Sequence, residues 1–192
     1  ASSCVAIMNN TLTLSYYSEM SITVSSDTAI CKGNSVQLNA TGGDTYQWSP
    51  STGLSATNVS NPIATPANST TYNLTVTDVN GCTKDTSVTI QVHGTPSVNA
   101  GVDTSFCAGD SITLKGTAVP GSSITNVYWQ GLDSTYNVRI GSEGPGYYVF
   151  QAWTNKGCTA TDTVGITEKS SPSANAGSNK EICAGTSTTL TA

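Results

Sequence analysis

Six cysteines and a single histidine are the residues of this chain best able to do chemistry. The cysteines stand at Cys4, Cys31, Cys82, Cys107, Cys158 and Cys183, and no CxxC pair occurs among them. An ordinary zinc site draws on closely spaced Cys and His ligands, so this set does not make one. All six are therefore disulfide candidates, and disulfides persist only in oxidising surroundings such as the periplasm or the cell exterior. The alternative is that they are buried free thiols acting as small apolar residues. Catalysis would require a general base, an activated nucleophile or a metal. His93 is isolated beside Gly94 and Pro96, a linker or interface context. The carboxylates are scattered, without the facing pair that glycoside hydrolysis uses, and the glycines sit among turn residues and form no phosphate loop. The sequence thus predicts no enzyme activity, no catalytic residue and no cofactor. Calcium at a repeat junction, through Asp78, Asp85 or Asp103, is the one ion left open, although these residues lack the dense spacing of a calcium loop.

The elements that position these residues must be strands. Ser, Thr, Asn and Gly are abundant, and the helix-favouring runs of Ala, Leu, Glu and Lys are missing. Charged residues make up only 10% of the chain and the net charge is −5, which argues against nucleic acid as a partner. No stretch approaches the ~20 apolar residues of a membrane span, and the first residues lack a signal-peptide pattern.

The central feature is an internal repeat. Ile30-Cys31-Lys32-Gly33-Asn34-Ser35 recurs as Phe106-Cys107-Ala108-Gly109-Asp110-Ser111 and again as Ile182-Cys183-Ala184-Gly185-Thr186-Ser187, each step being 76 residues. Gly81-Cys82-Thr83 and Gly157-Cys158-Thr159 share the offset, as do Tyr72 and Tyr148. This frame predicts one repeat over residues 21–93, a second over 94–169 and the start of a further one at 170–192. Cys4 and the alternating segment 11–14 make residues 1–20 the tail of a preceding repeat.

Within a repeat, Val36, Leu38 and Ala40, then Tyr46 and Trp48, then Tyr72, Leu74 and Val76, then Val88 and Ile90 alternate with polar residues, the period of half-buried strands. Asn80-Gly81 predicts a two-residue hairpin turn. A Val-x-Leu-x-Ala strand, then a Trp strand, then a strand opening with Tyr is the core order of an immunoglobulin-like sandwich. Trp48 and Trp129 are then core tryptophans, and Tyr72 and Tyr148 open strand F near a tyrosine corner. Ala40 and Leu74 take the places where antibody domains carry their cystine. Two disulfide patterns remain open. Equal spacing suggests Cys31 with Cys82 and Cys107 with Cys158. Strand direction opposes this, since those partners belong at opposite ends of a sandwich. It suggests instead Cys31 with Cys158, tying adjacent repeats, and leaves Cys107 for the rest of the further repeat.

In Asn99-Ala100-Gly101-Val102-Asp103 with Phe106-Cys107-Ala108-Gly109, in Tyr46-Gln47-Trp48-Ser49-Pro50, and in Thr71-Tyr72-Asn73-Leu74-Thr75-Val76 running to Gly81-Cys82, the chain resembles the PKD-like and immunoglobulin-like tandem repeats of Bacteroidetes cell-surface adhesins. These include SprB-like gliding-motility adhesins, cargo of type IX secretion. The resemblance implies an all-β rod of tandem sandwiches, secreted across the outer membrane to the cell surface. Its role would be structural or adhesive, its partners neighbouring repeats and surface glycans or proteins. It also implies O-glycan acceptors at Thr28, Ser111, Ser134 and Thr163, each following an Asp. A spacer or carbohydrate-binding region of a secreted enzyme, and a subunit of an extracellular fibre, are the alternatives. An exposed aromatic cluster would mark the former, with Trp153 the only extra tryptophan available to it.

Overall fold

Val, Ile, Thr and Tyr in alternation favour extended, pleated chain. The computed structural model describes residues 19–119, 124–141, 143–175, 177–179, 181–187 and 189, and every regular element among them is a β-strand. Cys4 and the segment 11–14 lie outside the described residues. The first repeat supplies β1 (Thr23–Val24), β2 (Thr28–Cys31), β3 (Val36–Gln37), β4 (Ala40–Thr41), β5 (Thr45–Ser49), β6 (Ile63–Ala64), β7 (Thr70–Thr77) and β8 (Thr83–His93). One run of chain, β3 then β4, pairs with β6 through Val36 and Ala64 and with β1 through Ala40 and Val24. The facing sheet has the order β2-β8-β7-β5, with β2 parallel to β8 and the other pairs antiparallel. Its inward residues, among them Trp48, Tyr72, Leu74, Val88 and Ile90, close on Leu38 and Ala40 to form one core. This is an all-β, immunoglobulin-like sandwich.

The second repeat supplies β9 (Ser97–Asn99), β10 (Thr104–Cys107), β11 (Ile112–Lys115), β12 (Thr117–Val119), β13 (Ile124–Trp129), β14 (Asn137–Ile140), β15 (Gly146–Thr154) and β16 (Thr159–Lys169). Its large sheet, β10-β16-β15-β13, reproduces the first, again with a parallel first pair. Both strands of that pair, β10 and β16, begin 76 residues after their counterparts β2 and β8. The core is repacked. Where the first repeat has Ala40 and Leu74, buried to 4% and 1% exposure, the second has Gly116 and Phe150. A β-carbon on Gly116 would stand 2.6 Å from the Phe150 ring, so the missing methyl makes room for the larger side chain. Phe150 in turn packs 5.0 Å from Trp129, centroid to centroid.

Both tryptophans are buried, and each indole N–H donates to a backbone carbonyl, Trp48 to Val59 at 2.9 Å and Trp129 to Tyr136 at 3.4 Å. Of the two tyrosines, Tyr148 makes the expected corner and Tyr72 does not. Tyr148 donates its hydroxyl to the carbonyl of Gly144, four residues upstream, as a tyrosine corner does. Tyr72 donates instead to Thr52, twenty residues upstream, at 2.8 Å. The hairpin at Asn80-Gly81 also departs from the two-residue turn. Gly81 N–H bonds the Asp78 carbonyl, Asp78 N–H bonds the Cys82 carbonyl, and Gly81 sits at φ +81°. A three-residue connection with glycine in the left-handed region is the result.

The described chain forms two compact units. One holds the chain up to Ser97 with Val119–Thr125 and Trp153–Ala160, and the other holds Val98–Ala118, Asn126–Ala152 and the residues from Thr161 onward.

Burial raises the Tyr72 phenol above its ordinary pKa, and burial followed by the charge of Glu143 does the same to Tyr148. An unfolded chain ionises its phenols at about pH 10, whereas these two hold their protons longer. Stability linked to them is therefore complete below about pH 10 and falls as pH rises past it, because the unfolded state then binds fewer protons. Urea unfolding at stepped alkaline pH is expected to show a falling midpoint, and Tyr72→Phe to reduce the slope of that fall.

Candidate functional site

Cys31 ends β2, where it stands opposite His93, the last residue of β8. A tight turn follows: Asn34 N–H bonds the Cys31 carbonyl at 2.9 Å, Lys32 N–H bonds the His93 carbonyl at 2.8 Å, and Gly33 takes φ +91°. Only glycine adopts that last angle without strain. Cys82 precedes Thr83, at the other end of the eleven-residue β8. At ~3.3 Å per residue the two cysteines are separated by roughly 35 Å, several times the ~7 Å limit on Cα atoms joined by a disulfide.

The sulfur that meets Cys31 belongs to Cys158, which is fully buried. Their Cα atoms are 5.6 Å apart, and the bridge joins residues 127 apart in sequence. It therefore ties the β15–β16 turn of the second repeat to the end of β2 in the first, both within one of the two compact units. Cys158 is held by the β15–β16 turn, in which the hydroxyl of buried Thr154 accepts from the N–H groups of Cys158 at 3.2 Å and Lys156 at 3.4 Å. Gly157 supplies the left-handed residue, and its N–H bonds the Thr154 carbonyl. The first repeat builds the same turn with a different acceptor, since Asp78 Oδ1 takes the N–H groups of Asn80 at 2.8 Å and Cys82 at 2.9 Å. Each tip thus presents a cysteine on a backbone stapled by the side chain four residues before it. Cys82 is disulfide-bonded as well, while Cys107 and Cys183 are free and exposed. His93 contributes its backbone rather than its ring, the carbonyl lying 3.9 Å from the Cys158 sulfur.

No family model and no curated protein sequence matches the chain. Solved structures of adhesion-type and modular proteins are similar to it. Similar structures include the C-terminal 282-residue fragment of intimin, solved in complex with the intimin-binding domain of the translocated intimin receptor. That likeness has 14% identity over 78% of this chain and 64% of the other, with a TM-score of 0.47. The insect immune protein hemolin is similar at 16% identity over 84% of this chain and 49% of the other, TM-score 0.42. The fibronectin(III)-like modules of Clostridium thermocellum CbhA are similar at 17% identity over 78% of this chain and 95% of the other, TM-score 0.37. The chain spans less than two thirds of the intimin fragment and about half of hemolin. These likenesses concern the fold alone, and the strand order described above defines it.

The remaining candidates are separate from the bridge. Asp78 is occupied in its turn, Asp85 accepts from the Thr75 hydroxyl at 2.6 Å, and Asp103 accepts from Gly165 N–H at 2.7 Å. Among the described residues no three His, Cys, Asp or Glu side chains converge as metal ligands. Of the acceptors expected for O-glycans, Ser134 and Thr163 are exposed, whereas Thr28 and Ser111 are half-buried and the Ser111 hydroxyl accepts from Arg139 Nε at 2.7 Å. Trp153 is half-buried in β15. Among the described residues no helix is long and apolar enough to cross a membrane.

Proposed function

We propose that the chain is a structural stalk segment of a secreted bacterial surface adhesin or gliding-motility filament, built from repeats at 21–93 and 94–169 between parts of neighbouring repeats at 1–20 and 170–192. The Cys31–Cys158 bridge carries this reading. Because it joins the end of β2 in the first repeat to the β15–β16 turn of the second, its value lies in keeping successive modules attached under load. It also calls for an oxidising, extracellular location. The second repeat carries the same device on its far strand: Cys107 ends β10 opposite Lys169, as Cys31 ends β2 opposite His93, and its thiol is exposed. Beside it an open depression of about 890 Å³, lined by Phe106, Ser111 and Arg139 among others, has room for the cysteine-tipped hairpin of a following repeat. The resemblance of the repeat motifs to Bacteroidetes adhesins supplies the biological setting.

Non-reducing peptide mapping of the native, full-length protein tests this. The expected products are a Cys31–Cys158 peptide and a Cys107 peptide linked to a Gly-Cys hairpin 127 residues further along, the spacing of the bridge already present. A Cys31–Cys82 link, or a free Cys107 in the full-length protein, would overturn the tethered array.

A further inference from the structure

Among the cross-strand positions at which the outward faces of the two large sheets differ, one sets a tyrosine beside a glycine. In the first repeat Thr71 of β7 stands opposite Thr89 of β8, and their hydroxyls bond each other at 3.0 Å. Seventy-six residues on, the same pair is Tyr147 and Gly165. The tyrosine is 83% exposed and leans over the bare glycine backbone. A β-carbon at residue 165 would lie 3.3 Å from Tyr147 Cε1 on one side and 3.3 Å from the Asp103 carboxylate on the other. Asp103 is fixed there by accepting the Gly165 N–H through Oδ1 at 2.7 Å. These groups border an open depression of about 420 Å³, also lined by Ser105 and Thr167. Its counterpart in the first repeat, lined by Asp27, Thr28, Ala29, Thr89 and Gln91, measures about 310 Å³ and contains no aromatic residue.

An aromatic side chain across from a strand glycine restores some of the packing that the glycine gives up. That accounts for where the ring leans. It does not account for a ring left largely open to solvent, with a carboxylate and two hydroxyls gathered beside it. Binding sites for small molecules pair apolar surface with a few placed polar groups, and this depression has that composition.

We propose that the depression is a binding subsite for a neutral saccharide. A pyranose would lay its C–H face on the Tyr147 ring and direct its hydroxyls to Asp103 and to the side chains of Ser105 and Thr167. The carboxylate donates nothing and disfavours an anionic ligand, and no cation lines the depression to attract one. A tyrosine ring offers rigid, amphipathic contact area at little entropic cost, which suits a polar ligand with one apolar face. This subsite does not depend on the tethered array and would add recognition to a structural module.

The test titrates the whole chain with cellohexaose and with chitohexaose while following the Tyr147 ring resonances and the backbone amide resonances of Asp103, Ser105 and Thr167 by NMR, the amides giving the affinity of parent and variant alike. The informative variant is Tyr147→Thr with Gly165→Thr, which installs the hydroxyl pair that the first repeat already carries and so keeps the sheet. At least one oligosaccharide is expected to shift the Tyr147 resonances, and the double variant to bind roughly tenfold more weakly or not at all. Failure of both oligosaccharides to shift those resonances, or equal affinity in the folded double variant, would overturn the proposal.

Discussion

Replacing Cys31 and Cys158 together by alanine lowers the unfolding free energy by about 2–5 kcal/mol, the upper value being the chain-entropy limit for a loop as long as this one. The bridge closes 127 residues of chain, and strands β3 to β15 lie inside that loop. Without it, the unfolded chain regains freedom that the bridged chain never had. Single-molecule stretching reads the same device geometrically. In a Cys82→Ala background, where that residue's own disulfide cannot shorten the path, a bridged molecule pulled from its ends withholds the enclosed residues even when both sandwiches are unfolded. The Cys31→Ala/Cys158→Ala variant of that background is expected to extend further by roughly 420–460 Å, the length of 127 extended residues. Equal final extensions would show that the two cysteines are not joined.

Trp48→Ala carries the second large effect. The side chain is 1% exposed at the centre of the first core, and its indole N–H satisfies the carbonyl of Val59. Truncation leaves a cavity and strands that carbonyl, with an expected cost of about 3–5 kcal/mol. Denaturant unfolding followed by far-UV circular dichroism should show the first repeat losing structure at markedly lower denaturant, while the fluorescence of Trp129 in the second repeat keeps its transition. Trp48→Phe keeps much of the volume but not the donor, and should fall between the variant and the parent. A cost below about 1 kcal/mol for Trp48→Ala would mean that the two sheets do not close on this residue.

What could be read in the sequence was whatever depended on period. Alternation at Val36, Leu38 and Ala40 and at Tyr72, Leu74 and Val76 identifies strands with one buried face, and the 76-residue recurrence of the Cys-x-Gly motif aligns the two sandwiches. Strand direction also marked Cys31 and Cys82 as ill-suited partners. It offers Cys158 in place of Cys82, and deciding between the two patterns takes the parallel pairing of β2 with β8, which ends Cys31 beside His93 and has no local signature. The dipeptide Asn80-Gly81 favours a two-residue hairpin, whereas the chain makes a three-residue connection there. Asp78, by accepting two N–H groups, stabilises the longer connection. Thr154 performs that task in the second repeat, and a Thr in place of an Asp hides the equivalence. The Tyr147–Gly165 pair was equally hidden. A tyrosine and a glycine eighteen residues apart mean nothing until the register of β15 against β16 puts them side by side.

The Cys31–Cys158 bridge also determines how the chain survives damage. Every peptide bond between those residues lies inside a covalent ring, so a protease that cuts once, for example in the exposed segment around Ser134, converts the ring to a branched chain and releases nothing. Two cuts within the ring are needed to free a fragment. Where proteases are met, a ring that tolerates its first nick keeps the chain on either side of the cut joined.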